Sequence, residues 1–149
     1  WTETHSTFDG EFVKFTDAVA YPKPWQRPHP PVLYAGAPTS ALRRAARHAD
    51  GWYGYNLTIP ELRDTVKELH ELLHEEGRDP ADFYLQVGLR YKGEPGDVTE
   101  YAGAVAELGV DELTLTTRIP ASNLYDHLGR FADALQLLPP APGDSNASL

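Results

Sequence analysis

The chain has 149 residues, of which 41% are hydrophobic and 23% charged, with a net charge of −9 and no cysteine. That length and balance suit one globular domain with its own core, and the acidic surface disfavours nucleic acid as a partner. Disulfide and thiolate chemistry are excluded, a reducing cytoplasm is the expected compartment, and no apolar run nears the roughly 20 residues of a membrane span.

Residues 1–9 are polar and poorly patterned. Phe12, Val13, Lys14 and Phe15, followed by Val19, Ala20 and Tyr21, read as two strands of a hairpin turning at Thr16 and Asp17. Pro22, Pro24, Pro28, Pro30 and Pro31 make residues 22–31 an extended connector, because proline cannot continue a helix.

From residue 32 the pattern alternates. Residues 32–35 predict a strand, and residues 39–48 a helix with Ala41, Leu42, Ala45, Ala46 and Ala49 on its buried side. Residues 52–55 predict the next strand. Thr58, Pro60 and Glu61 form a capping box that opens a helix stopped by Gly77. A strand over 83–91 follows, then a helix capped by Asp97 and Glu100 and ended by Gly109. Residues 112–117 predict the last strand, and 121–138 the last helix, stopped by Pro139 and Pro140. The tail over 139–149 has the composition of a disordered segment.

Four strand–helix units in a row imply a parallel sheet covered by helices. Ligands then gather where the strands end. At the first of these ends the backbone turns at Ala35, Gly36 and Ala37 and enters a helix. Unpaired N–H groups and the positive end of the helix dipole meet there, which suits a phosphate.

Two motifs invite other readings. His70, Glu71 and His74 match the H-E-x-x-H pattern of zinc proteases. Leu62, Val66, Leu69 and Leu73 define the buried stripe of that helix, however, and Glu71 points away from it, so the motif reads as a solvated face with no metal. Arg43, Arg44 and Arg47 sit on the helix after the phosphate-type turn. They read as solvated or paired with carboxylates, since the helix end faces the ligand and its middle does not.

Several ordered pieces together carry a resemblance. They are Trp1-Thr2-Glu3; Phe8-Asp9-Gly10-Glu11-Phe12; Tyr21-Pro22-Lys23-Pro24 with Gln26, Pro28, Pro30 and Pro31; Ala41-Leu42-Arg43-Arg44-Ala45-Ala46-Arg47; Ala49-Asp50-Gly51-Trp52; and Gly77-Arg78-Asp79-Pro80. This combination resembles the luciferase-like oxidoreductases over residues 1 to about 138, with most of the flavour of the branch using the deazaflavin coenzyme F420. FMN-using members share much of it.

The resemblance implies an α/β fold: the C-terminal half of a TIM (β/α)8 barrel, with four β-α units preceded by a β-hairpin insertion. Hairpin and connector occupy 1–31 and the βα units 32–138. The absence of Met agrees with a segment of a longer polypeptide.

The implied function is part of a flavin- or deazaflavin-dependent oxidoreductase or monooxygenase acting on a small organic substrate. Its cofactor is coenzyme F420, with FMN as the alternative. Family members hold the cofactor phosphate in the loop after the fifth strand, usually on a Gly-Gly pair. Here those positions are Ala35 and Gly36, followed by Ala37, with Pro38 offering no N–H. Tyr55 and Asn56 form the neighbouring wall, and Arg118 at the rim is a candidate for an anionic substrate. No catalytic residue is assigned, because the family's reactive groups lie on its first four units, so the chain alone is expected to be inactive.

The alternative is a non-catalytic half-barrel that dimerises, pairs with a missing N-terminal half, or binds a phosphate-bearing ligand through the turn alone. A half-barrel leaves edges and an inner face open.

Overall fold

The computed structural model describes residues 1–91, 95–117 and 120–135. Arg118 and the tail 139–149 lie outside the described residues, as does the end of the predicted last helix. The chain divides into two compact units, Trp1–Val32 and Leu33–Leu149.

The first unit holds an antiparallel hairpin of β1 (Ser6–Asp9) and β2 (Lys14–Ala18), with Phe8 opposite Phe15 and Asp9 opposite Lys14. The chain reverses between Gly10 and Val13, where the Gly10 N–H donates to the Val13 carbonyl at 3.0 Å. The expected turn at Thr16 and Asp17 is therefore displaced. Asp17 lies inside β2 in a left-handed conformation (φ 56°), its N–H donating to Thr7 Oγ1 at 3.1 Å. The Phe8–Phe15 ring pair, 6.0 Å between centroids, aligns strands on either side of Gly10, and the polar run 1–9 hides one of them.

The second unit runs β3 (Leu33–Ala35), α1 (Thr39–His48), β4 (Gly51–Tyr55), α2 (Ile59–Glu75), β5 (Tyr84–Arg90), α3 (Pro95–Glu107), β6 (Glu112–Thr116) and α4 (Leu124–Ala134). The strands pair in parallel in the order β3-β4-β5-β6. Each helix returns the chain so that the next strand adds beside the last, as parallel pairing requires.

Alternation along the strands decides the faces. Tyr34, Trp52, Leu85 and Val87 pack with Leu42, Ala45 and Ala46 of α1 and with Leu62, Val66, Leu69 and Leu73 of α2. A smaller core joins Tyr91, Val98 and Phe131, with the Tyr91 and Phe131 rings edge to face at 4.8 Å.

The capping box forms as read: the Thr58 N–H donates to Glu61 Oε2 at 2.8 Å, and the Glu61 N–H to Thr58 Oγ1 at 3.4 Å. The Thr58 hydroxyl and N–H hold the Glu61 carboxyl below its usual range. Elsewhere the boundaries shift. α3 opens at Pro95, which puts Asp97 and Glu100 inside the helix; proline in a first turn gives up an N–H that has no helical partner anyway. A single 3-10 turn (Ala121–Asn123) precedes α4. Among the described residues no helix is long and apolar enough to cross a membrane.

Arg78 ties two elements together. Its Nη1 donates to the carbonyls of Ala46 and Ala49, both at 2.8 Å, and its guanidinium lies 5.0 Å from the Phe83 ring centroid. These carbonyls belong to the C-terminal end of α1, where a cation complements the dipole. Arg78→Met is expected to lower stability by about 1–2 kcal/mol, measured as a fall in urea midpoint at unchanged slope.

Candidate functional site

The site is built at the C-terminal ends of β3 and β4. After Ala35 the backbone swings through Gly36 at φ 122°, a region costly for any residue with a side chain. A Cβ there would also stand only 3.0 Å from Ala41 Cβ. Pro38 then caps α1: its carbonyl accepts from the N–H groups of Ala41 at 2.8 Å and Leu42 at 3.1 Å. No side chain caps the helix. Among the described residues the amides of Gly36, Ala37, Thr39 and Ser40 meet no acceptor. The positive end of a ten-residue helix and a set of open donors therefore coincide.

Trp52 holds this turn in place. It is wholly buried, and its Nε1–H donates to the Gly36 carbonyl at 2.8 Å. A cavity of about 280 Å³ opens beside the turn, lined by Ala35, Gly36 and Ala37 on one side and by Trp52, Tyr53, Gly54, Tyr55 and Leu57 on the other.

Of the residues singled out in the sequence, Ala35, Gly36, Ala37 and Tyr55 are brought together around this space. Asn56 follows Tyr55 in the chain without lining the cavity. It adopts a left-handed conformation (φ 54°), and its N–H is taken by the Gly88 carbonyl at 2.7 Å. Its backbone donor is thus occupied. Arg118, the rim candidate, lies outside the described residues.

The wall opposite the turn is aromatic. Tyr53 and Tyr55 stack at 6.3 Å with 25° between their planes. Both lie against Gly88 of β5, which pairs with Tyr55 in the ladder. A Cβ at Gly88 would run into the Tyr53 hydroxyl and stand 2.8 Å from Tyr55 Cδ2. The Tyr55 hydroxyl accepts from Arg90 Nε at 3.3 Å. From α3, the Tyr101 hydroxyl donates to the Leu57 carbonyl at 2.9 Å, and burial raises its pKa.

Trp52, Gly88, Arg90 and Tyr101 were not assigned these roles from sequence. Gly88, inside a strand, carried a readable sign of close approach by another group. The hydrogen bond of Trp52 across 16 positions carried none.

A second polar cluster sits at the other end of the sheet, on the face away from the helices. The Glu112 carboxylate accepts from Tyr84 Oη at 2.9 Å, Gln86 Nε2 at 2.6 Å and Thr114 Oγ1 at 3.1 Å. Tyr84 first, then Thr114 and Gln86, holds this carboxyl below its usual range. The cluster lies at the starts of β5 and β6, remote from the strand ends where the cavity opens.

The remaining motifs are accounted for by their surroundings. His70 is half-buried while Glu71 and His74 are exposed. Burial, and then the neighbouring His74, pushes the His70 pKa down. Among the described residues no group of three or more ligating side chains could hold a metal. Arg43 pairs with Glu75 at 3.6 Å, Arg47 with Glu76 at 2.7 Å, and Arg44 lies over the Tyr34 ring.

An α/β unit with a parallel sheet, and a ligand-sized cavity at its strand ends, defines the class. The family model described as luciferase-like monooxygenase matches residues 1–91, and the chain belongs to that family. An uncharacterized protein of Mycobacterium tuberculosis is 38% identical over 117 residues, covering 76% of this chain and 38% of that protein. An FMNH2-dependent dimethylsulfone monooxygenase of Pseudomonas putida is 41% identical over 69 residues, 46% of this chain and 19% of that enzyme.

Among solved structures, an F420-dependent secondary alcohol dehydrogenase in complex with an F420-acetone adduct superposes with a TM-score of 0.67 at 14% identity. That match covers 89% of this chain and 56% of the solved one. The likeness is one of fold. The chain thus spans well under half the length of the curated relatives it matches and about half that of the solved chain.

Proposed function

We propose that this chain supplies the C-terminal half of a (β/α)8-barrel oxidoreductase, and that the turn from Ala35 to Ser40 holds the phosphate of coenzyme F420 or FMN. The observation that carries this reading is the coincidence at one place of the uncapped α1 terminus, the open amides of Gly36, Ala37, Thr39 and Ser40, and the cavity. A phosphate suits that donor set. The tyrosine wall suits the flat or aliphatic part of the same molecule.

When bound, the cofactor supplies the redox chemistry. This chain's residues bind and orient it: Trp52 fixes the turn, Tyr101 fixes Leu57, and Tyr53 and Tyr55 close one side. Family membership supports a small organic substrate, with the proton-handling groups on the units that complete the barrel. Titration calorimetry of the chain with FMN, riboflavin and F420 is the test. FMN or F420 is expected to bind, and FMN at least tenfold more tightly than riboflavin, which lacks the phosphate. No binding of either cofactor overturns the proposal.

A second reading rests on the sheet itself. β3 and β6 are its outer strands, and Gln86, Glu112 and Thr114 populate a face that no helix among the described residues covers. Such a sheet pairs with another, either the first half of a barrel or a second copy of this chain. Light scattering that gives a monomer at all concentrations argues against the second copy.

A further inference from the structure

We infer that Arg90 is a recognition residue for an anionic substrate, so that the site takes a small organic molecule bearing a carboxylate or phosphate group. This rests on the reading of the cavity as the cofactor site and adds a second, separate anion position to it. Arg90 is the last residue of β5, two positions beyond Gly88, on the strand face shared with Tyr55. Its partner there is the neutral Tyr55 hydroxyl, at 3.3 Å from Nε.

Within ion-pair distance it has no carboxylate among the described residues, although carboxylates outnumber lysines and arginines 22 to 13 in the sequence. Arg43 and Arg47 find Glu75 and Glu76, and Arg78 is spent on carbonyls. The tether through Nε steadies the guanidinium, and among the described residues its two Nη groups meet no acceptor. That fork matches two oxygens of a carboxylate or phosphate.

Position separates this anion site from the turn. β5 is two strands from β3, roughly 10 Å at the spacing of neighbouring strands, with Tyr53 and Tyr55 between them. A phosphate seated on the α1 terminus therefore does not reach Arg90, which leaves the guanidinium to another anionic group. A substrate anchored at Arg90 and a cofactor anchored at the turn would meet across the tyrosine wall.

The test compares wild type with Arg90→Gln and Arg90→Lys, by titration calorimetry with glycerol phosphate, lactate, FMN and riboflavin, on the apo chain and again with FMN present. Arg90→Gln is expected to weaken glycerol phosphate or lactate about tenfold and to leave FMN unchanged, while Arg90→Lys retains part of the affinity. Equal binding of both anions by wild type and Arg90→Gln overturns the inference, as does wild type binding neither. A loss of FMN affinity with riboflavin unaffected overturns it too, by giving Arg90 to the cofactor phosphate. Failure of wild type to bind either cofactor is a separate result. It removes the proposed cofactor role and leaves the comparison of the two small anions intact.

Discussion

Trp52→Ala is expected to lower stability by about 3–5 kcal/mol. The indole is the largest fully buried side chain and packs where β4 meets α1 and α2. Domains of this kind have only about 5–15 kcal/mol to lose. Trp52→Phe separates packing from hydrogen bonding. It keeps most of the apolar volume, deletes the donor to the Gly36 carbonyl, and should cost less stability while weakening FMN at least several-fold. Denaturant melts and cofactor titration on both variants read the two effects apart. Equal cofactor affinity in Trp52→Phe and wild type would show that the turn keeps its shape without the indole N–H.

Gly88→Val is expected to act on the site's other wall. The space a side chain needs at that position is filled by the Tyr53 hydroxyl and the Tyr55 ring. Either both tyrosines leave their stacked arrangement or β5 moves off β4, at about 3 kcal/mol. Because the Asn56 N–H bonds the Gly88 carbonyl, the shift also reaches the loop that carries Leu57. Thermal melts should show the loss, and near-ultraviolet dichroism should report the tyrosines' altered packing. A variant with unchanged melting and spectrum would mean that the tyrosines yield easily and do not form a fixed wall.

Much of the second unit was legible because its physics is local. The stripe Leu62, Val66, Leu69 and Leu73 repeats at helical spacing and is buried throughout, and Thr58 with Glu61 announces a helix start in four residues. The turn at Gly36 was legible for the same reason: a strand, small residues and a helix stand in immediate succession. What stayed hidden depends on contacts across the chain. Arg78 reaches back about 30 positions to Ala46 and Ala49, Tyr101 reaches 44 to Leu57, and Arg90 reaches 35 to Tyr55. The hairpin misled because Gly10 and a single Phe8–Phe15 pair set the alignment, while the polar residues around Phe8 masked its strand. Asn56 stands beside Tyr55 in the sequence, but the bond from its N–H to the Gly88 carbonyl of the neighbouring strand does not show there.

The clamp of Arg78 on the last carbonyls of α1 has a consequence for kinetics at the other end of that helix. A rod held at its base resists swivelling, so under the proposed function its tip would keep much the same aim with or without a guest. Capture then demands little rearrangement of the host, and entry of an anion at the tip should be governed by diffusion and charge more than by any slow conformational gate. Loosening the bolt would be felt as slower, more entropically costly capture at a point one helix length away.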